Sequence, residues 1–517
     1  MTIEIKSLYI DVDCLRPDHL SAYGYPRKIS PNVQSIAERG VRFSNYHSSD
    51  TPCVPSRAAF TTQRFAISSG AFGHQGSDAD VRLSESRSQN HDAPFFGYHL
   101  ASVGGYHTVG MSCFAERHQA YYFHGNFMEF IRPSLSLGLD EDAKDVTDTA
   151  IDWLERRGKD DHWFLALGFW ETHTEYMVEK KWADKAAASG PAPDWPDAAT
   201  IEKHQQVYGA HSARDLHGAY GAPSPVPDTM PDAIKNRADF EKLINGYDGT
   251  IAYFDHHLGR LFDKLKELGL YDDTAIVLTA DHGEAFGENG IYAEHAMAHP
   301  ATSRVPLIVF WPGVTENLKP EQREHDGLFY HLDFGPTLCE MLGIPVPKGW
   351  HGKSFAKAVR GQAMDGRPYL VLSQGVHSFQ RAVRMRDGSR ELFYMLTLHP
   401  GTYKVNPEEL YDLTADPHMT RDLMLTQPGL ADPLKLILAD WIKEYAGFPG
   451  APPDPMQAAL QRGPVLYSDP ELYIARLEAT GRKDQADDYK RKLGAFLKDH
   501  DILPDHEKPK NTKFIRF

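Results

Sequence analysis

Three short apolar segments, far apart in the chain, end in acidic residues or histidine and set the strongest constraint on the fold. They read Ser7-Leu-Tyr-Ile-Asp-Val-Asp13, Trp163-Phe-Leu-Ala-Leu-Gly-Phe-Trp170 and Thr274-Ala-Ile-Val-Leu-Thr-Ala280, the last followed by Asp281-His282. Continuous apolar runs of this length are typical of parallel strands that helices cover on both faces. Functional groups in open parallel sheets gather at the carboxyl ends of the strands. The segments therefore predict an α/β fold with a polar site at one edge of its sheet.

Helical patterns alternate with these strands. Residues Ser30 to Gly40 carry an N-cap residue, a proline at the first helical position and a glycine at the end. From Ile244 to Leu268 the apolar residues keep helical spacing, which predicts an amphipathic helix that packs on the core.

Length and composition fit one large α/β domain with a smaller one. The chain has 517 residues, of which 41% are hydrophobic and 24% charged. Its net charge of −16 argues against nucleic acid as a partner. No apolar run approaches the roughly 18 residues of a membrane span, and the first residues lack a signal-peptide pattern. Four scattered cysteines do not form a disulfide framework. We expect a cytoplasmic protein without a membrane partner.

The segment Cys53-Val-Pro-Ser-Arg57 has the chemistry of an anion site. Pro55 can open a helix, which puts residue 53 near a helix N-terminus, where the N–H groups and the dipole favour an anion. Arg57 lies one turn further on the same helical face. The plainer alternatives are a small buried thiol at position 53 and a surface arginine at position 57.

The same five residues resemble a known family. Cys-x-Pro-Ser-Arg is the signature by which type I sulfatases of the alkaline phosphatase superfamily mark a cysteine for oxidation to formylglycine (3-oxoalanine). The likeness extends over about residues 5–445. It includes Asp13-Cys-Leu-Arg-Pro-Asp18, Asp281-His-Gly283 and Ser303-Arg-Val-Pro-Leu-Ile-Val309. It implies a large, mostly parallel sheet sandwiched by helices, with a smaller C-terminal subdomain of antiparallel sheet and helix.

The resemblance also implies a metal site. Its ligands are Asp13, Cys53 after oxidation, Asp281 and His282. Many family members carry a second aspartate after the first, where this chain has Cys14, and the role of Asp11 stays open. One divalent ion is expected, with Ca²⁺ as the first choice. The histidine, together with Cys14, makes Mn²⁺ or Zn²⁺ the alternative.

Further site residues follow from the same likeness. Arg57 holds the formylglycine and metal-bound oxygens, and His173 matches a histidine that contacts sulfate and can protonate the leaving oxygen. His295 falls where sulfatases hold a sulfate-binding lysine, and His299 is the fallback. The family's Gly-Lys-Trp-His cluster is absent, so the nearest substitutes are Arg117 and His118, with His124 behind them.

The implied reaction is hydrolysis of a sulfate monoester. A hydroxyl of the hydrated aldehyde attacks sulfur, His173 or His295 protonates the departing alcohol, and the second hydroxyl of the hydrate then expels sulfate. Two partners follow: a maturation enzyme that generates formylglycine, and a small-molecule or oligosaccharide sulfate ester, with a sulfated carbohydrate preferred.

Three regions are predicted. Residues 1–365 form the catalytic domain, 366–447 the small C-terminal subdomain, and 448–517 a linker and helical tail. Residues 174–240 resemble a long lid or insertion without clear periodicity. The tail contains a charged helix around Asp469–His500 and suggests a homo-oligomer in which it reaches a neighbouring subunit.

Two alternatives remain open. A phosphonate monoester or phosphodiester hydrolase on the same scaffold also uses formylglycine, and some of these relatives lack the second aspartate, as this chain does. A catalytically silent binding protein with the same fold would keep an intact Cys53 thiol and bind no metal.

Overall fold

A computed structural model describes residues 5–82, 92–135, 141–160, 162–217, 226–446, 453–460, 462–464 and 470–498. Its strands are β1 (Lys6–Val12), β2 (Val41–His47), β3 (Asp50–Thr51), β4 (His107–Met111), β5 (Glu129–Ile131), β6 (Trp163–Phe169), β7 (Thr274–Thr279), β8 (Ala285–Phe286), β9 (Tyr292–Glu294), β10 (Arg304–Phe310), β11 (Glu324–His325), β12 (Phe329–Tyr330), β13 (Tyr369–Gln374), β14 (Phe379–Asp387), β15 (Arg390–His399) and β16 (Glu408–Asp412). Its α-helices are α1 (Pro31–Arg39), α2 (Cys53–Thr62), α3 (Ala66–Ser69), α4 (Phe96–Ser102), α5 (Phe114–Arg117), α6 (Ala143–Arg157), α7 (Lys180–Ala188), α8 (Ala198–His204), α9 (Arg237–Glu267), α10 (Pro300–Ser303), α11 (Phe334–Leu342), α12 (Ala356–Val359), α13 (Asp432–Ala446), α14 (Pro455–Ala458), α15 (Pro470–Ala479) and α16 (Lys483–Lys498).

The large sheet is mostly parallel. Its strand order is β11-β2-β10-β7-β1-β6-β4-β5, with β12 paired to β2. The central strand β1 lies between β6 and β7 and is parallel to both. Strand β10 runs antiparallel to its neighbours β2 and β7. The predicted α/β class with a large, mostly parallel sheet is therefore confirmed.

The apolar strands form the core because helices cover both faces of the sheet. Every residue of β7 is buried, as its uninterrupted apolar sequence predicts. Helix α9 begins at Arg237, about two turns before the predicted start. Its buried side chains keep the predicted spacing, and Leu258, Leu261 and Leu265 belong to the main core.

The small sheet is attached directly to the segment that carries Cys53. Its order is β16-β15-β14-β13-β3, antiparallel throughout except that β3 pairs parallel with β13. Helix α13 packs on this sheet through Leu434, Leu438 and Trp441, as predicted from the sequence. Strand β3 ends two residues before α2 begins, so the small sheet positions the N-terminus of α2.

The insertion and the tail contain more regular structure than the sequence predicted. Helices α7 and α8 lie within residues 174–240. The predicted single tail helix is two helices, α15 and α16, because the chain turns at Gly481, whose φ is +74°. Both helices pack on their own chain, with Tyr473 and Tyr489 in one cluster with Tyr208 and Tyr403. Contact of the tail with a second subunit stays a prediction.

Most of the predicted linker after Ala446 and the end of the predicted tail, including the basic and aromatic residues Lys513–Phe517, lie outside the described residues. Among the helices that are described, none combines the length and the apolar character needed to cross a membrane.

Candidate active site

The site lies where the central strands of the large sheet end. Asp13 directly follows β1, and Asp281 follows β7, the next strand in the sheet. Helix α2 contacts both, because the Ser56 hydroxyl donates to the backbone carbonyl of Asp281 at 2.6 Å and Arg57 Nη1 donates to Asp13 Oδ2 at 2.8 Å. Three segments that are distant in sequence thus share one buried space.

Four predicted metal ligands converge there. Asp13, Cys53, Asp281 and His282 each offer a ligand atom, and these atoms all lie within 4.8 Å of one another. The Sγ atom of Cys53 lies 3.1 Å from Nε2 of His282. That Nε2 atom is 3.6 Å from Oδ1 of Asp13 and 3.5 Å from Oδ2 of Asp281. The other ring nitrogen, Nδ1, donates to the Gly283 carbonyl at 2.8 Å, which turns the Nε2 lone pair towards the cluster.

Arg57 is the positive charge of this centre. Its Nη1 atom donates to Asp13 Oδ2 at 2.8 Å and to Asp281 Oδ2 at 2.6 Å. Its Nε atom donates to Asp11 Oδ2 at 3.0 Å. The side chain is buried, so the surface-arginine alternative is wrong. Asp11 therefore contacts the centre through Arg57.

The three carboxylates share one arginine, and their pKa values diverge. Burial is the largest single influence and would raise the pKa of Asp13, but Arg57, His173 and His282 together outweigh it and hold that pKa well below its usual range. Burial raises the pKa of Asp281 well above its usual value despite Arg57, and the nearby Asp13 charge adds to the rise. Burial likewise raises the pKa of Asp11. The centre therefore carries more acidic groups than one guanidinium can neutralise.

This donor set fits a divalent cation. One positive side chain faces three carboxyl groups, of which Asp13 and Asp281 are buried and Asp11 is partly buried. After one is paired with Arg57, a doubly charged ion would balance the charge of the other two. Two carboxylates with added oxygen ligands suit Ca²⁺, whereas the imidazole of His282 moves the preference towards Mn²⁺. Residue 53 lies at the first position of α2, as an anion site requires.

Cys14 stands where many sulfatases have a second aspartate. Its backbone N–H donates to Asp281 Oδ1 at 3.4 Å, and its thiol donates to Asp13 Oδ1 at 3.2 Å. Its Sγ atom also lies 3.8 Å from Nδ1 of both His282 and His295. The backbone of Cys14 is left-handed, with φ of 57°, an uncommon conformation for a side-chain-bearing residue.

His173 reaches the centre from the end of β6. It offers a ligand atom within 4.8 Å of those of Cys53 and His295. Its ring stacks on Trp170 with centroids 3.7 Å apart. Its Nδ1 donates to the carbonyl of Thr174, which leaves Nε2 as the acceptor nitrogen. Burial lowers the pKa of His173 to about 4.

The loop with Arg117 and His118 covers Cys53. Phe114 at the start of α5 belongs to the apolar cluster around the thiol, and Cys53 itself is fully buried. The His118 ring lies 5.0 Å from the His74 ring. Arg117 instead pairs with Glu141 and stacks over Trp170, so no described contact joins it to Cys53.

His295 sits between two carboxylates. Its Nε2 atom lies 3.0 Å from Glu294 Oε1, and its Nδ1 atom lies 3.5 Å from Glu284 Oε1. Burial would lower the pKa of His295, but the two carboxylates Glu294 and Glu284 together outweigh burial and raise the pKa to about 9. Burial raises the pKa of Glu284 to about 7. A pKa above neutrality fits the positively charged, sulfate-binding role predicted for His295.

The fallback residue His299 has a different local role. Its Nδ1 atom accepts from the Ala301 N–H at 2.9 Å and caps helix α10. It belongs to none of the described clusters of possible metal ligands around Cys53.

Several residues of the site were missed by sequence reasoning. His74 Nε2 accepts from the Val54 N–H at 3.2 Å, directly beside Cys53. Glu294 and Glu284 flank His295. The signal for both glutamates was their sequence position next to predicted site residues. Two further residues, His211 and His377, contact Glu294 from distant loops. Neither lies next to a predicted site residue in the sequence.

Comparison with known families agrees with this geometry. The family model described as "Sulfatase" matches residues 7–344. A second, described as "N-sulphoglucosamine sulphohydrolase, C-terminal", matches residues 287–435. The first match contains all four converging metal-ligand candidates.

Individual relatives and solved structures cover most of the chain. A "Sulfatase" of Formosa agariphila is 26% identical over 445 residues, which is 80% of this chain and 81% of the relative. A solved structure described as bound to "its substrate D-Glucosamine-2-N, 6-O-disulfate" is 19% identical with a TM-score of 0.65, covering 86% of this chain and 98% of the other. The phosphonate monoester hydrolase of Agrobacterium radiobacter is also 19% identical, with a TM-score of 0.63, covering 85% and 95%.

Proposed function

The chain belongs to the sulfatase family of the alkaline phosphatase superfamily, and on that premise we propose that it hydrolyses a sulfate monoester carried by a carbohydrate. One observation carries the proposal: Asp13, Cys53, Asp281 and His282 converge around Arg57 where the central strands end. A sulfate ester presents negatively charged oxygens, so neutralisation of charge is a major source of catalysis in such a centre.

The proposal includes two additions to the chain. Cys53 is converted to formylglycine by a maturation enzyme, and the four converging residues hold one divalent ion, Ca²⁺ first and Mn²⁺ second. Together the two additions supply an oxygen nucleophile and a positive charge beside the sulfuryl oxygens.

Arg57 and His282 orient the carboxylates and the nucleophile. Arg57 holds both Asp13 and Asp281 through hydrogen bonds from a single nitrogen, Nη1. His282 is fixed by its bond to the Gly283 carbonyl, so that Nε2 points at residue 53. Rigid placement of these groups before substrate arrives lowers the cost of reorganisation during the reaction.

His173 is the proposed proton donor to the leaving oxygen. Its ring is held by Trp170, and its Nδ1 atom is held by the Thr174 carbonyl, so Nε2 is the atom that takes up and passes the proton. Because burial lowers the pKa of His173 to about 4, Nε2 takes up this proton only when the negative charge of the bound sulfate raises that pKa. His295, with a carboxylate at each ring nitrogen, supplies positive charge to the sulfate in place of the family lysine.

A carbohydrate is the proposed carrier of the ester. The second family match is named for a sulphoglucosamine enzyme, and the solved relative was described with a sulfated glucosamine. We also propose a cytoplasmic location, because all four cysteines are free, as in reducing compartments.

Co-expression with a maturation enzyme tests the activity. The intact mass of the peptide with residue 53 should show the thiol replaced by an aldehyde. A panel of sulfated monosaccharides should then yield free sulfate with wild type and none with Cys53→Ala. An oxidised residue 53 that releases sulfate from no ester would refute the proposal.

The second candidate is a phosphonate monoester or phosphodiester hydrolase. Two observations favour it: the structural similarity to the Agrobacterium enzyme and Cys14 in place of a second aspartate. Parallel assays on matched aryl sulfate and aryl phosphonate esters separate the two activities, and turnover of the phosphonate alone would select this candidate.

A further inference from the structure

Three imidazoles surround one buried carboxylate beside the proposed catalytic centre. Glu294 Oε1 lies 3.0 Å from His295 Nε2 and 3.4 Å from His377 Nε2. Its Oε2 atom lies 3.2 Å from His211 Nε2. We call these four residues the Glu294 cluster.

The cluster is assembled from three separate parts of the chain. Glu294 is the last residue of the short strand β9 and His295 follows it, His377 lies in the loop between β13 and β14, and His211 lies in the insertion. Their exposed fractions are 6% for His211, 3% for Glu294, 4% for His295 and 1% for His377. Charged and imidazole groups buried to this degree are paired or bind metal ions.

The distances suit a transition-metal ion. Zinc binds histidine nitrogen and carboxylate oxygen at 2.0–2.2 Å, which separates neighbouring ligand atoms of a tetrahedron by about 3.3 Å. The two contacts of Glu294 Oε1 with imidazole nitrogens, 3.0 and 3.4 Å, bracket that value. The candidate ligand atoms of Glu294, His295 and His377 all lie within 4.8 Å of one another. We propose that Glu294, His295 and His377 bind a second divalent ion of the zinc class.

Neighbouring groups orient these ligands as in known metal sites. Histidine ligands are commonly held through their other ring nitrogen by a carboxylate, and carboxylate ligands by a further donor. Here Glu284 Oε1 faces His295 Nδ1 at 3.5 Å, and Tyr176 donates to Glu284 Oε2 at 3.2 Å. His211 holds the second oxygen of Glu294.

The proposed ion is distinct from the one expected at Cys53. Its ligand set has two nitrogens and one oxygen and contains none of Asp13, Asp281 or His282, so it selects a softer ion than Ca²⁺. His295 connects the two sites, because its candidate ligand atom lies within 4.8 Å of the Sγ atom of Cys53. The ion takes the place of the proton on His295 Nε2 and puts more positive charge beside the substrate. This consequence rests on the proposed function, whereas ion binding does not.

Cobalt and zinc binding to the full chain tests the site. Metal-stripped protein is first saturated with Ca²⁺ and then titrated with Co²⁺ as a spectroscopic probe, without substrate. We expect one Co²⁺ per chain with visible absorption typical of nitrogen and oxygen ligands. His377→Ala and Glu294→Gln should weaken binding ~100-fold or more. The control His256→Ala, which changes an exposed histidine on α9, should bind as wild type.

X-ray absorption of zinc-loaded wild type gives an answer that does not depend on any variant folding. Two imidazoles and no sulfur around the zinc are expected. A sulfur neighbour would put the ion at Cys14 or Cys53 and overturn the proposal, as would cobalt binding that both cluster variants retain. Sulfate release assayed on the same samples reports the proposed function separately: ion binding without turnover refutes that function alone, and turnover without a second ion refutes this site alone.

Discussion

Arg57 Nη1 lies 2.6 Å from Oδ2 of Asp281, although 224 residues separate them in the chain. The same nitrogen contacts Asp13 at 2.8 Å. One guanidinium therefore joins the helix of the Cys-x-Pro-Ser-Arg segment to the ends of two central strands. The charge balance of the centre depends on this residue, and its replacement is the first test of the site.

Arg57→Met should destabilise the protein by about 3–5 kcal/mol, since it leaves buried carboxylates without their cation. Added Ca²⁺ should restore part of this loss by binding the folded state. Denaturation with and without Ca²⁺ measures both effects. Arg39→Met, which removes two partly exposed ion pairs, should change stability by ~1 kcal/mol or less. Equal stability of Arg57→Met and wild type in chelator would contradict the account.

His173→Asn should slow hydrolysis of sugar sulfates by ~100-fold, because a sugar alkoxide needs a proton as it leaves. Hydrolysis of an ester with a good leaving group, such as 4-nitrophenyl sulfate, should be slowed much less by the same substitution. The comparison of kcat for the two esters provides the measurement. His295→Asn should slow both esters alike, because it alters charge at the sulfate. An equal loss for both esters in His173→Asn would remove its role as proton donor.

Arg482→Met should loosen the C-terminal hairpin of α15 and α16. Arg482 is buried and pairs with Asp215, which Arg476 also contacts. Loss of one partner of a buried ion pair costs about 3–5 kcal/mol when the other charge is left alone, and the remaining Arg476 should keep the cost here near or below the lower end of that range. Hydrogen exchange should rise in α15 and α16 and in the neighbouring turn, where His211 N–H donates to the Asp215 carbonyl. Lys490→Met, in a half-exposed pair, is the matched control and should leave exchange unchanged.

Glu409 should make stability fall as the pH rises. Burial raises the pKa of Glu409 from 4.5 to about 7. Below pH 4.5 Glu409 is protonated in both the folded and the unfolded state, so its full contribution to the free energy of unfolding is present. This contribution, up to roughly 3 kcal/mol, is lost as the pH rises through 7. The difference in unfolding free energy between wild type and Glu409→Gln, measured from pH 5 to pH 8, should follow this course. A constant difference would show that Glu409 does not titrate in this range.

Asp255→Ala should destabilise helix α1 more than Ser30→Ala. The Ser30 side chain makes no capping bond, whereas Asp255 of α9 accepts from the N–H groups of Asn32 and Val33 at 3.0 and 2.9 Å. Loss of such a cap costs ~1–2 kcal/mol, and Ser30→Ala should cost a few tenths. Thermal unfolding of the two variants provides the measurement. The reverse order of stabilities would show that Ser30 is the effective cap.

Much of the fold was predictable because local patterns coincide with the tertiary structure. The apolar run from Thr274 is a buried strand, and its polar end lies at the carboxyl edge of the sheet. The helix from Pro31 to Arg39 has its predicted bounds. The insertion was harder to predict, since helices α7 and α8 are short and lack a long periodic pattern.

The sequence alone identified four candidate metal ligands: Cys53, Asp13, Asp281 and His282. It could do so because residue type and position after a strand or at a helix start are local properties. The strand order, the pairing of Arg57 with both aspartates and the Glu294 cluster came only from the tertiary structure. His211 and His377 are 166 residues apart and have no local pattern in common. Their approach to one carboxylate follows from how the insertion and the small sheet pack against the large one, and packing between distant segments is not encoded in any single stretch of sequence.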